Sequence, residues 1–167
     1  MRSRLKKQLD VLRGVTRDSP QRQQTMRETI AWSYDLLTHQ EKQVFARLGV
    51  FSGGFDLEAA EFVCSDLSGG SAASTLDVIT SLVEHNLLAA RNARNAGPRI
   101  HMLEVVREFA EEVLAERGEV GKTRSAHAEY FLRLGEEAEP QLLAARSAEW
   151  LARLEIEHDN LRSALAW

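Results

Sequence analysis

The sequence has very little cysteine and no long apolar run. Its 167 residues contain one cysteine, Cys64, which excludes an internal disulfide bond and a metal cluster held by several cysteines. No apolar stretch is long enough to cross a bilayer, and the basic start lacks the apolar core of a secretory signal. We therefore expect a cytoplasmic protein with no membrane partner.

Positive charge is also scarce. The chain has 21 lysines and arginines against 25 aspartates and glutamates, which gives a net charge of -4. Because polyanions bind to basic surfaces, this balance argues against a general nucleic-acid or membrane-surface binder. With 44% hydrophobic residues, the chain is long enough to build one large or two small domains.

A phosphate-binding loop is missing as well. No GxxxxGK[ST] pattern occurs, and the glycine pairs Gly53-Gly54 and Gly69-Gly70 are not followed by lysine. Cys64 has no neighbouring base in sequence, and no order of serine, histidine and aspartate suggests a nucleophile. We therefore expect no catalytic residues, and no ATP hydrolysis by this chain alone.

Helix signals dominate the first half of the chain. A capping box at Thr38 and Glu41 predicts a helix start, and Asp56 is a cap residue after the glycine turn VFSGGF. The spacing of apolar residues predicts helices over residues 3–13, 21–37, 39–48, 57–65 and 75–86.

After these helices, the spacing of the apolar residues no longer follows a helical period. LLAARNAR and RIHML each suit a short strand, and RNAGP between them supplies a turn. Three helices followed by a β-hairpin are the order of a winged helix, so we predict a mainly α fold with a small hairpin wing. Further helices are expected over residues 104–118, 121–138 and 146–167, the last two joined by a turn at Pro140.

The same segments resemble a family of regulators. The resemblance is to large bacterial STAND-type NTPase regulators, including LuxR-like and SARP-like transcriptional regulators, which are relatives of the NB-ARC proteins. It covers essentially the whole chain in order. The matching segments are RQQTMRETIAWSYDLL, EKQVFARLGVFSGGFDLEAAEFVC, DVITSLVEHNLL, HMLEVVREFAEEVL, AHAEYFLRLGEEAEP and WLARLEIEHDNLRSALAW.

The resemblance implies a domain organisation and a role. Residues 1–18 would end the small helical region of the NTPase, residues 19–119 would form the winged helix, and residues 120–167 would begin a TPR-like array. The implied function is non-catalytic and couples nucleotide state to the TPR-like sensor region. The implied partners are the NTPase core and the TPR-like repeats of the same polypeptide. ATP or ADP would bind to the full-length protein, with no cofactor in this chain.

One position departs from the relatives. They carry a Met-His-Asp motif after the wing, whose histidine senses the phosphate of bound ADP. Here the matching residues are Met102, Leu103 and Glu104, and a leucine cannot donate to a phosphate. His101 is the nearby candidate for a nucleotide contact, and its alternative role is that of an ordinary strand histidine. The alternative role of Glu104 is to cap the helix that follows.

The helix before the wing would enter the major groove if this winged helix read DNA. Its charged residues are Asp77 and Glu84, which would repel phosphates. The only base readers that it offers are His85 and Asn86, at the C-terminal end of the helix. We therefore expect DNA not to be the partner of this module.

The wing could still contact phosphates. It carries Arg91, Arg94 and Arg99, which would position DNA without reading its sequence. A solvated polar wing is the alternative. A DNA-binding winged helix and a helical scaffold for protein interactions therefore remain the alternative functions.

The remaining candidate ligands have structural explanations. His127 shares a stripe with Tyr130 and Phe131, so we expect a histidine at the edge of the core. His158 lies among Glu155, Glu157 and Asp159, but only residues 155 and 159 share its helical face, so a solvated, salt-bridged face is expected and no metal site. Trp32, Tyr34 and Phe45 are expected in the core, with a ligand pocket as the alternative.

The last predicted helix has a wide apolar stripe. We expect self-association through this end of the chain, because the stripe would leave apolar area exposed without a covering repeat. The stripe consists of Trp150, Leu151, Leu154, Leu161 and Leu165.

Overall fold

The computed structural model describes residues 19–67, 73–93, 97–143 and 147–167. The helix expected over residues 3–13 and the proposed segment 1–18 lie outside these ranges. The helices are α1 (Ser19–Asp35), α2 (His39–Leu48), α3 (Leu57–Val63), α4 (Thr75–Glu84), α5 (Glu104–Glu116), α6 (Val120–Leu142), α7 (Ser147–Ile156) and α8 (His158–Leu165), and the strands are β1 (Ala89–Ala93) and β2 (Gly97–His101).

Local hydrogen bonds set the helix starts, as predicted. The Thr38 hydroxyl accepts from the Glu41 amide at 3.3 Å, and the Glu41 carboxylate accepts from the Thr38 amide at 2.7 Å. Ser74 and Asp77 form a second capping box at the start of α4. Asp56 caps α3 by accepting from the Ala59 amide at 2.8 Å. Each cap satisfies amide groups that have no partner inside their helix.

The core forms around α2. Val44, Phe45 and Leu48 are buried there, and the buried apolar side chains of α4 pack in the same cluster together with Val106 and Ala110 of α5. The Phe45 ring lies 5.5 Å from the Tyr34 ring, which confirms the expected core role of both residues. Trp32 was placed wrongly, because its side chain is 66% exposed. It lies two residues after buried Ile30, which is roughly half a helical turn away and so on the outer face of α1.

The predicted hairpin is confirmed and acquires one more partner. β1 and β2 pair antiparallel, with Ala89 opposite His101. Phe55, in the turn before α3, exchanges two backbone hydrogen bonds with Ile100, at 2.9 and 2.8 Å. Both side chains are buried, so this bridge attaches the wing to the core. The name wing is used from here on for the β1–β2 hairpin.

A buried arginine ties three distant segments together. Arg47 of α2 is 3% exposed, and its guanidinium donates to Glu119 at 2.8 and 3.0 Å and to Asp66 at 3.1 Å. The hydrogen bond from Arg47 holds the pKa of Asp66 below its ordinary range. Nearby, burial raises the pKa of the Cys64 thiol to about 12, so this cysteine is an inert core residue.

The C-terminal helices differ from the sequence-based expectation. Pro140 lies inside α6, which continues to Leu142, so the expected turn at Pro140 is wrong. Both Pro140 and Glu136 are exposed, so water can bond to the carbonyl that proline leaves without a helical donor. The single helix expected over residues 146–167 is divided at Glu157 into α7 and α8.

No helix in the described part of the chain combines the length and apolar character needed to cross a membrane.

Replacing Thr38 by alanine should lower the free energy of unfolding by about 1 kcal/mol, because an amide at the start of α2 loses its acceptor. Urea denaturation measures the change. Thr29→Ala is the matched control, since Thr29 is an exposed interior residue of α1. Equal effects of the two substitutions would contradict the role of the capping box.

Candidate functional site: recognition helix, wing and helix junction

The outer face of α4 is the surface with which a winged helix would read DNA. Leu76, Asp77, Thr80 and Glu84 are exposed on it. The Asp77 carboxylate bonds to the Ser74 amide and hydroxyl at the start of the helix, and these bonds lower the pKa of Asp77. The predicted acidic face is therefore confirmed as solvent-facing, and its only charges are negative.

The two candidate base readers end this helix. A ring nitrogen of His85 lies 2.9 Å from the carbonyl oxygen of Ser81, one turn back. Asn86 has φ of 58°, a left-handed conformation that asparagine tolerates better than most residues. The next amide, of Leu87, donates to the Leu82 carbonyl at 3.0 Å. Both residues thus terminate α4 at the end away from a docked groove.

The two described arginines of the wing differ in their exposure to solvent. Arg91 is exposed, whereas Arg99, directly opposite it in the hairpin, is 6% exposed. Paired residues project from the same face of a sheet, so both side chains leave one face of the wing. The expectation that Arg99 is exposed on the wing, where it could contact phosphates, is therefore wrong. Arg94 lies outside the described residues.

Arg99 is buried because a carboxylate from the C-terminal helices covers it. Glu157, 5% exposed, lies between α7 and α8. The two terminal nitrogens of the Arg99 guanidinium each donate to one carboxylate oxygen of Glu157, and the bond from Nη2 measures 2.9 Å. The guanidinium also donates to the Gly54 carbonyl at 2.9 Å. This bidentate geometry is the one in which a buried ion pair is best compensated.

Asn160, one turn into α8, completes the contact. It is fully buried, and its amide nitrogen donates to the Gly54 carbonyl at 2.8 Å and to Glu157 at 2.9 Å. Its side-chain oxygen accepts from the Ser52 amide at 2.8 Å. We call Arg99, Glu157 and Asn160, with the backbone of the 52–54 turn, the clamp. The clamp joins the wing, the turn before α3 and the junction of α7 and α8.

His127 of α6 lies beneath the clamp. It is buried, its ring lies 5.3 Å from Phe51 and 4.7 Å from Phe131, and its Nε2 is 3.5 Å from the Asn160 oxygen. Burial lowers the pKa of His127 to about 4. The expectation of a core histidine is confirmed, and the ring is neutral at physiological pH.

The residues matching the nucleotide-sensor motif lie at the start of α5. Leu103 precedes the helix and is 64% exposed, so its side chain is open to a partner. Glu104 begins the helix and forms an ion pair with Arg107 at 2.5 Å. Met102 is partly buried against the core. Leu103 and Glu104 are therefore the accessible residues of this group, and Glu104 is already paired with Arg107.

His101 is directed toward the clamp. A Cβ atom added to Gly54 would lie 2.7 Å from the Nδ1 atom of His101, so glycine is required where the two approach. Burial and the charges of Arg99 and Arg91 lower the pKa of His101. His101 is thus packed on the turn before α3, and the accessible nucleotide-sensor position is two residues away.

The acidic residues around His158 differ in their exposure to solvent. His158 and Asp159 are exposed and lie 3.5 Å apart, as expected for a solvated face. Glu157 does not share this face, because its carboxylate is buried in the clamp. In the described residues, no three histidine, cysteine or acidic side chains are arranged to hold a metal ion.

The clamp residues Glu157 and Asn160 were missed by sequence reasoning, although one signal was present. Glu157 is three residues after Leu154 and four before Leu161, so it interrupts the apolar stripe of the last two helices. A charge in an apolar stripe requires a buried partner. The stripe predicts that Glu157 is paired, but it does not identify Arg99.

Three helices, a wing and a further helix thus follow one another, with a short bridge between the wing and the turn before α3. Residues 37–115 match the family model of the winged helix-turn-helix domain. The chain therefore contains a winged helix. In this winged helix α2 to α4 are the three helices, α4 is the recognition helix, and α5 follows the wing.

The chain is also similar to longer mycobacterial proteins. One protein of Mycobacterium tuberculosis and one of Mycobacterium bovis, each carrying the provisional name of HTH-type transcriptional regulator, are 41% identical over 160 residues. The match covers 94% of this chain and 17% of each regulator. An uncharacterised protein of M. tuberculosis is 36% identical over 107 residues, which cover 64% of this chain and 27% of that protein. No solved structure matches the chain.

The stability of this fold should fall as the pH is lowered from 7 to 5. The unfolded chain protonates His127 near its ordinary pKa of 6.5, whereas the folded chain does not until about pH 4. Folding is therefore disfavoured below about pH 6.5, by about 2 kcal/mol at pH 5. Urea denaturation at a series of pH values measures the slope.

His127→Gln should flatten that slope between pH 7 and pH 5, since glutamine does not titrate. His158→Gln is the matched control at an exposed histidine. If both variants kept the wild-type slope, the neutral burial of His127 would not be the cause.

Proposed function

We propose that this chain is a non-catalytic regulatory module of a larger NTPase-type transcriptional regulator that acts in the cytoplasm. In this proposal the winged helix passes the nucleotide state of an NTPase core to a TPR-like region. The observation that carries the proposal is the contact that the wing makes within its own chain. Its Arg99 binds the C-terminal helices through the clamp, while the recognition helix presents only acidic charges to solvent.

The relatives support a regulatory role. The mycobacterial proteins named as HTH-type transcriptional regulators are about six times as long as their match to this chain, since it covers 17% of each. Their length leaves room for an NTPase core and a sensor region.

The start of α5 is the proposed surface for the nucleotide-bound core. Leu103 is exposed there, and the adjoining helix N-terminus has the positive partial charge that favours a phosphate. ATP or ADP would be held mainly by the core, because this chain has no phosphate loop. The nucleotide would bias the docking of the winged helix, a rigid-body change of the kind that couples domains.

A groove between α6 and α8 is the proposed surface for the next TPR-like repeat. It has a volume of about 450 Å³ and is lined mainly by apolar atoms, including Phe131, Leu132, Leu161 and Leu165. Leu132 and Leu165 are exposed. A repeat of the same polypeptide would cover them, and self-association through this end would cover them when the repeat is absent.

DNA binding is the second candidate function. The match to a winged helix-turn-helix domain favours it, as do the names of the relatives. The wing would then contact phosphates through Arg91, which is exposed. The face of α4 opposes this function, because Asp77 and Glu84 would meet the DNA backbone.

A gel shift with the purified chain separates the two candidates. At low salt and about 10 μM protein, where non-specific binders associate with DNA, we expect no shift of random duplexes or of the promoter next to the gene. A shift that weakens with salt and is lost in Arg91→Glu would overturn the regulatory proposal in favour of DNA binding.

Nucleotide coupling is tested in the full-length protein. Leu103→His should slow the release of fluorescent ADP about tenfold, because a histidine there can donate a charge-assisted hydrogen bond to phosphate. Leu103→Ala is the control for loss of the leucine. Equal release rates in the two variants, or a gene product without a phosphate loop, would refute the coupling role.

A further inference from the structure

The attachment of α7 and α8 to the rest of the chain has an unusual composition. Among residues 147–167, the buried residues are Glu157 and Asn160, and both are polar. The apolar contacts of this helix pair with the core come from partly buried side chains, Trp150, Leu161 and Ala164. The helix pair is therefore held by the clamp, by packing of partly buried apolar side chains on α6, and by the pairing of Arg153 with Glu58. Over residues 147–167, it has no fully buried apolar side chain of its own.

The energetics of such an attachment differ from those of a hydrophobic core. A well-paired buried ion pair contributes little net stability, because desolvation offsets the attraction between the charges. Breaking it by removing one partner is costly, because the other charge stays buried. The ion pair therefore specifies one orientation strongly while it contributes a small net free energy to the attachment. Intermediate positions, with Arg99 and Glu157 buried but separated, are disfavoured.

The clamp also connects the helix pair to segments far away in sequence. Glu157 bonds to Arg99 of the wing, and both Arg99 and Asn160 donate to the Gly54 carbonyl. The Phe55 bridge links the same turn to Ile100 of the wing. A displacement of the helix pair would thus remove partners from the wing and from the turn at once.

We propose that α7 and α8 form a releasable latch on the wing, engaged and released as a unit through the clamp. In the engaged state Arg99 is covered and the wing is held in one position. In the released state Arg99 reaches solvent beside Arg91, and the wing and the 52–54 turn lose their shared restraint. The latch is a property of this chain, and only its use in passing a signal rests on the proposed function.

Hydrogen–deuterium exchange of the full chain tests the latch. In Glu157→Gln, exchange should accelerate on the order of 100-fold in three segments together, residues 147–167, 97–101 and 52–55. The segments that form α2 and α4 should keep their wild-type exchange. Glu155→Gln is the matched control, since Glu155 is an exposed acid two residues away, and it should leave all segments unchanged.

A double variant keeps the test decisive if a single one folds poorly. Arg99→Met combined with Glu157→Met removes both charges, so it should restore protection in all three segments relative to either single variant. Circular dichroism confirms that each variant is folded before exchange is compared.

Three results would overturn the latch. If exchange accelerated equally in α2 and α4, the clamp would open only together with the whole core and not as a separate unit. Acceleration confined to residues 147–167 would show that the wing does not depend on the helix pair. No acceleration in Glu157→Gln would show that the ion pair does not hold the contact. None of these results depends on nucleotide or DNA, so they are distinct from a failure of the proposed function.

Discussion

A guanidinium group removed from water must be paired with carboxylates, and this constraint fixes how distant parts of the chain meet. Arg47 holds the 3₁₀ turn after α3 and the start of α6 against α2 through Asp66 and Glu119. Arg99 does the same for the wing and the C-terminal helices through Glu157. In both places the planar guanidinium selects one mutual orientation of its partners. Apolar packing around these contacts could by itself tolerate several mutual orientations of the same segments.

In the proposed function, the clamp gives the wing a different role from that of a DNA reader. A reading winged helix exposes cations on the wing and on the helix before it, so that both can approach phosphates. Here the buried wing arginine, Arg99, binds a carboxylate of its own chain, and the helix before the wing is acidic on its outer face. In the proposed function, the same scaffold connects the core to the following helices.

Sequence patterns predicted the elements well where local interactions govern them. The capping residues Thr38 and Asp56, the hairpin and the acidic face of α4 were all found where expected. The errors came from residues whose surroundings decide their role. Trp32 has the character of a core residue but faces outward, and Pro140 breaks no helix because the carbonyl it leaves unpaired is open to water.

Local chemistry was enough to establish the order of helices, the hairpin and the missing phosphate loop, because caps and turns join residues three or four positions apart. The partner of Arg99 could not be found in this way, since Glu157 is 58 residues away and each looks like a surface charge in sequence. Only burial, which the tertiary structure decides, distinguishes these two side chains from ordinary surface charges. Once packing removes water from both side chains, the cost of an unpaired charge leaves pairing as the stable arrangement.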